Sequence, residues 1–161
     1  MASRAVLRAT AGVWSPDAEG VWSHSMKADF WKKLSMDALA ESYREASAKH
    51  GRLLDGLKTR AANKEYDRVT AIEAELQRRG EEAQGFILKL LDDPEPGTRF
   101  WAASAALGFA SAEGARVLGE LARPPPSQIG VSAAMLLRAW KDGSYTPKWA
   151  QPVSPGSLDP E

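Results

Sequence analysis

Cysteine is absent from these 161 residues. That excludes a disulfide framework, a thiolate-ligated zinc site and a cysteine nucleophile. Histidine is scarce: His24 and His50 are the only two, and neither has a neighbour at a metal-ligand spacing such as His-x-x-x-His. Each reads as a surface histidine. Charge of one sign is also lacking, since 21 Lys plus Arg stand against 21 Asp plus Glu. The balance holds along the chain: five basic to three acidic residues through Leu34, ten to twelve from Ser35 to Asp93, and six to six beyond. Nucleic-acid binders draw much of their affinity from neutralised phosphates, so a nucleic-acid partner is disfavoured. No apolar run approaches the roughly 20 residues that a spanning helix needs. The first ten residues, where a secretory leader would need an apolar core, are broken by Arg4 and Arg8. No membrane partner is expected, and a cytoplasmic location is the default. Neither a Gly-x-Ser-x-Gly elbow nor a Gly-rich phosphate loop is present. The sequence therefore predicts no catalytic residue, cofactor or metal, and a protein that is not an enzyme.

What is present is ordinary globular composition, 43% hydrophobic and 26% charged, in a chain long enough to bury its own core. The first 25 residues hold no sustained helical period, but Gly-Val-Trp-Ser occurs twice, at Gly12–Ser15 and Gly20–Ser23. Residues 1–34 read as an irregular arm. Its Trp14 and Trp22 belong either to a loose terminus or to a docking arm that packs back on the body.

The helical pattern begins near Met36. Ser35 suits an N-cap, and Leu34 and Leu39 occupy hydrophobic-staple positions. Leu39, Tyr43 and Ala46 mark one face, with a break or bend expected between Lys49 and Leu57 because Gly51 and Gly56 interrupt the period. A second helix is expected from about Thr59 to Arg79, with Ala62, Tyr66, Val69, Ile72 or Glu73, and Leu76 as its buried stripe. The basic pair Arg78–Arg79 followed by Gly80 is a helix-ending pattern. A third should run from Glu81 to about Leu91, burying Phe86, Ile87, Leu90 and Leu91. The stretch Asp92–Gly97, with two prolines, reads as a turn. Further helices are expected over about Thr98–Phe109, from a cap at Ser111 to about Ala122, and over Ser127–Lys141, closed by Gly143. Trp101 and Trp140 read as core, while Trp31 and Trp149 flank the body. No strand pattern is found. The prediction is an all-α single domain over residues 35–145, with about six helices, followed by a proline-rich extended tail at 146–161.

Thr98–Leu107 is weakly echoed by Gly130–Leu137, so that Ala103 and Leu107 correspond to Ala133 and Leu137 at an offset of thirty residues. A fixed offset points to stacked helical pairs. Asp93-Pro94-Glu95-Pro96-Gly97-Thr98-Arg99 followed by Ala102-Ala103 and Leu107 resembles a HEAT repeat, in which an acidic-proline turn opens the second helix and an Arg follows. A narrower resemblance rests on Ala62-Asn63-Lys64-Glu65-Tyr66-Asp67, Glu75-Leu76-Gln77-Arg78-Arg79-Gly80, Leu90-Leu91-Asp92, and Trp140 with Gly143. Over roughly Ser35–Tyr145 the chain resembles a family of small bacterial HEAT-like proteins known as a domain of unknown function, often encoded beside polymorphic toxins. The resemblance implies a protein partner, a toxin domain encoded nearby, and an immunity protein that sequesters and inhibits it. The alternative is a nucleic-acid-binding HEAT-like protein without a toxin partner, and a third class is an enzyme of unknown type.

The partner-binding surface is expected on the exposed polar face of the first two helices, at Glu41, Glu45, Lys64 and Asp67. Glu41 and Glu45, one turn apart, also fit a plain solvated face. Asn63 and Asp67 fit either a partner patch or hydrogen bonds to the loop after Gly51. An Asn inside a helix is not placed there by propensity.

Overall fold

The computed structural model describes residues 29–150. These are helical throughout, in one body: α1 (Met36–Asp55), α2 (Thr59–Arg78), α3 (Glu81–Leu90), α4 (Pro96–Ala106), α5 (Ser111–Leu121) and α6 (Gln128–Lys141), with a 3-10 turn at Lys148–Ala150. No strand occurs among the described residues. The predicted arm with Trp14 and Trp22, His24, and the tail beyond residue 150 lie outside the described residues. The part of the arm that is described is helical at 29–32, and Trp31 packs against the core.

α1 starts where its cap predicts. Ser35 Oγ accepts from the Ala38 amide at 3.1 Å, which satisfies one of the orphan donors of the first turn. The break expected between Lys49 and Leu57 falls at the far end of that interval, and α1 does not stop at Gly51. It continues to Asp55 because Gly51 is where α4 crosses. A Cβ on Gly51 would sit 2.6 Å from Gly97 Cα, and one on Gly97 would strike the Ser47 carbonyl oxygen. The glycines let two backbones touch; they do not end a helix. The reversal comes instead at Leu57, which takes φ 60°, while the amides of Leu57 and Lys58 close on the carbonyls of Leu54 and Leu53. A left-handed leucine is costly.

α2 ends as read, with Gly80 at φ 75°. The predicted turn at Asp92–Gly97 is shorter than expected, since Pro96 and Gly97 already belong to α4. Proline is well placed at a helix start, where its missing N–H is not needed. Arg99 ties this turn by donating from Nη1 to the carbonyls of Asp93 at 2.8 Å and Pro94 at 3.2 Å. Ser111 is the first residue of α5 and makes no side-chain cap there. Ser127 does cap α6, accepting from Gly130 N at 2.9 Å.

Short connections make three antiparallel hairpins, α1–α2, α3–α4 and α5–α6. α4 is the centre and packs on α1, α3, α5 and α6. Trp101, Ala102, Ala103, Ala105, Ala106 and Leu107 are all buried, beside Leu39, Tyr43, Ile72, Leu76, Ile87 and Leu118 from its neighbours. Small residues on α4 allow close approach from several sides, and the larger side chains come from the surrounding helices.

Candidate functional site

Three polar groupings and one apolar face stand out from this frame. The first is buried at the α1–α4 crossing. Ser47 Oγ and Thr98 Oγ1 lie 3.0 Å apart, and each approaches the Arg44 carbonyl, at 3.0 and 3.1 Å. About one turn further along both helices, His50 is not the surface residue that the sequence suggested. It is only 7% exposed, and its Nδ1 accepts from Trp101 Nε1 at 3.1 Å. Tyr66 stands edge-on to Trp101, with ring centroids 5.3 Å apart. Burial holds the His50 pKa below its ordinary value, partly offset by Glu65. This grouping is structural, because it fixes the rotation of α1 against α4 through bonds that only one register can make.

The second grouping anchors the start of the described chain. Glu75 is buried and receives Arg78 Nη2 at 2.7 Å and Arg79 Nε at 2.8 Å. Hydrogen bonding from Arg78, above all, lowers its pKa against the opposing effect of burial. Arg79 Nη2 then donates to the carbonyls of Trp31 and Lys32 at 3.2 Å, which ties residues 29–32 to the end of α2. The Glu75–Arg79 spacing was visible in the sequence; the anchoring was not.

The third grouping, around Glu73, lies between α1, α2 and the segment after α6. Glu73 Oε2 accepts from Trp149 Nε1 at 2.8 Å. Burial raises the pKa of Glu73, against the hydrogen bond from Trp149 and the charge of Lys148. Burial likewise raises Tyr43 well above a normal phenol, with Glu73 and Tyr145 adding to the effect. The Tyr43 hydroxyl has no hydrogen-bond partner among the described residues. Gln77 Nε2 donates to the Lys148 carbonyl at 2.9 Å. The first described part of the proline-rich tail is therefore docked: Pro147 is buried and the Trp149 ring meets Phe109 at 5.4 Å. The sequence signal for Glu73 was its place in the apolar stripe of α2, beside Ile72.

The four residues expected to bind a partner sit on the first hairpin. Glu41 and Glu45 are exposed on α1, and Glu41 is paired with Arg44 at 3.2 Å. Arg44 also reaches Asp93, at 3.6 Å. Lys64 is exposed and Asp67 half-buried on α2. Between the two helices runs a ladder in which Lys49 and Arg68 meet the buried Glu65 at 3.4 and 3.5 Å. Asn63 holds its Nδ2 buried without a hydrogen-bond partner among the described residues, so this nitrogen does not make the predicted bond to the loop after Gly51.

The apolar face is on α6. Val131 and Met135 are 48% and 66% exposed, with Ala134 beside them, one turn apart on the last helix. Of the residues of α6 only Ile129, Gly130 and Ala133 are buried, since no other described element covers the rest. Among the described residues no group of three His, Cys, Asp or Glu is placed to hold a metal ion, and no helix is long and apolar enough to cross a membrane.

These features define a class: a small array of stacked helical hairpins whose prominent surfaces are helix faces. Within that class the chain belongs to the family described as Domain of unknown function (DUF2019), whose model matches residues 37–141. The matched span covers all six helices save the first residue of α1. The chain is also similar to protein RPA1889 from Rhodopseudomonas palustris CGA009, known from a crystal structure. The likeness has a TM-score of 0.65 at 21% identity and covers 73% of this chain and 97% of that one. At that identity the likeness carries the fold alone. No curated protein matches.

Proposed function

We propose that this protein works by binding another protein and not by catalysis, and that its partner is a bacterial toxin domain, which it sequesters as an immunity protein in the cytoplasm. The observation that carries the binding reading is the face of α6 that no other described element covers, where Val131, Ala134 and Met135 form an exposed apolar stripe. Contiguous exposed apolar surface on a small domain marks an interaction site, and methionine adapts readily to a partner's shape. The mixed-sign face of α1 and α2, with Glu41, Glu45, Lys64 and Asp67, supplies charges that orient the encounter. The toxin reading rests on the resemblance to a family often encoded beside polymorphic toxins.

The test is co-purification with the product of a neighbouring toxin gene, followed by titration of the two purified proteins. A stable 1:1 complex is expected. Met135→Asp should weaken it at least tenfold, while reversal of Glu41 and Glu45 to Lys should mainly slow association and change its salt dependence. Failure to bind, together with strong salt-dependent binding of DNA, would favour a nucleic-acid-binding helical repeat instead.

A further inference from the structure

The two ends of the array differ in make-up. The first hairpin shows charge, with Glu41, Glu45 and Lys64 exposed. On α6 the exposed residues are Gln128, Val131, Ala134, Met135, Arg138 and Lys141, and no other described element covers them. The end unit of a helical stack normally carries a polar outer face, because no further unit covers it. Here the middle of that face is apolar, and the half-buried Leu137 borders it.

α6 runs from Gln128 to Lys141, so Ala134 and Met135 stand at its midpoint. Reversing the helix about that point exchanges Gln128 with Lys141 and Val131 with Arg138, and the exposed stripe maps onto itself. A twofold contact needs this property, since one patch must serve both copies. Charge then selects the direction. The only charges on the stripe, Arg138 and Lys141, both lie in the last turn. In a parallel pair they would meet their own copies, and like charges brought together oppose association. In an antiparallel pair they lie at opposite ends. The methylene stem of Arg138 then covers Val131 of the second copy, with the guanidinium left in water. Ala134, small and at the crossing point, lets the two helices approach closely.

We propose that a second copy of this chain covers α6, in a twofold antiparallel pair with Ala134 and Met135 each beside its own copy. One helix from each chain is a small contact beside the roughly 1,200–2,000 Å² of a standard interface, so the pair is weak and exchanges with free chains. It uses the face assigned above to partner binding. The inference therefore rests on that face being a contact surface, but not on the partner being a toxin. A tighter partner displaces the second copy.

The full chain alone is taken through sedimentation equilibrium from about 10 µM to about 1 mM, the range in which a small contact associates. The mass should climb from 17.5 kDa towards twice that value. Met135→Asp should weaken the association at least tenfold. Because the chain holds no cysteine, single introduced cysteines report the geometry. Met135→Cys should give a disulfide-linked dimer under mild oxidation, since its two copies meet. Val131→Cys should not, because its copies stand as far apart along the pair as positions 131 and 138, roughly 10 Å and beyond disulfide reach. A single-chain mass at every concentration overturns the proposal. So does cross-linking of Val131→Cys as fast as Met135→Cys, the mark of a parallel pair or of random collision. A single-chain mass together with a stable complex with the neighbouring toxin overturns the pair and leaves the proposed function standing. A pair that forms while no toxin binds does the reverse.

Discussion

α4 and α6 are written alike and live differently. Both are alanine-rich, and Ala103 and Leu107 of the first correspond to Ala133 and Leu137 of the second. On α4 seven of eleven residues are buried, and Leu107 just beyond its end is 4% exposed. On α6 three of fourteen are buried, and Leu137 is only half-buried. The difference is positional. α4 has neighbours on several sides, whereas α6 ends the array and has none on its far side among the described residues. The same small-residue pattern thus makes a hub in one place and a presented face in the other. Where a helix sits in a stack decides whether its alanines bring helices together or merely leave a surface smooth.

The largest expected effect tests this contrast at matched positions. Trp101→Ala should cost about 3–5 kcal/mol and Leu107→Ala about 2–5 kcal/mol, through lost burial and the cavity left behind. Leu137→Ala should cost clearly less than Leu107→Ala. Thermal and denaturant unfolding of the three variants measure this, and equal losses at Leu107 and Leu137 would show that α6 is as enclosed as α4.

Next in size is the crossing itself. Gly97→Ala forces a methyl into the Ser47 carbonyl and the Gly51 backbone, and should cost about 1–3 kcal/mol as an overpacking change. Gly85→Ala on α3, whose added Cβ meets nothing within 4 Å, should stabilise by up to about 1 kcal/mol through helix propensity. If the two changes shift the midpoint in the same direction, the close crossing of α1 and α4 is wrong.

A smaller and pH-dependent effect separates the His50 and Glu73 groupings. The pKa of His50 is lowered in the fold, so the unfolded chain takes up more protons as pH falls through 6.5. The stability supported by neutral His50 is complete above that value and is lost progressively below it. The pKa of Glu73 is raised, so the folded chain holds its proton longer and stability falls as pH rises from 4.5 through the folded value. The two act in opposite directions over mildly acid pH. Glu73→Gln should therefore leave a steeper loss of stability on acidification, with its benefit greatest at neutral pH and fading below about 4.5. Unfolding midpoints across pH 4–8 for the parent and this variant decide the matter, and parallel curves would sink the assignment.

The smallest effect is expected on the open face. Met135→Asp should change stability by no more than about 0.5 kcal/mol, as for other exposed substitutions, even though it is designed to disrupt partner binding. A large loss of melting temperature would mean that α6 is covered.

Much of the fold was legible because it depends on local signals. The cap at Ser35, the Arg78–Arg79–Gly80 ending, the proline-bounded turns and the 3.6-residue stripes each act within a few residues, so the six helices fall near their predicted places. The break expected between Lys49 and Leu57 is found at Gly56, but the sequence did not say which of its two glycines would end the helix. A glycine inside a helix breaks it unless another backbone needs the space, and the backbone that Gly51 meets, at Gly97, lies 46 positions away. His50 misled for the same reason: its environment comes from Trp101, on another helix.

What the sequence by itself determined is the helical class, the helix ends and most of the core-facing positions, since short-range hydrogen bonding and amphipathic period set these. What only the tertiary structure decided is which faces are covered. Glu73 became a buried carboxylate because Trp149 folds back to it across 76 residues, and Val131 and Met135 became a surface because no described element stacks beyond α6. Burial depends on what else arrives at a place, and a linear pattern specifies the face of a helix without specifying its neighbour.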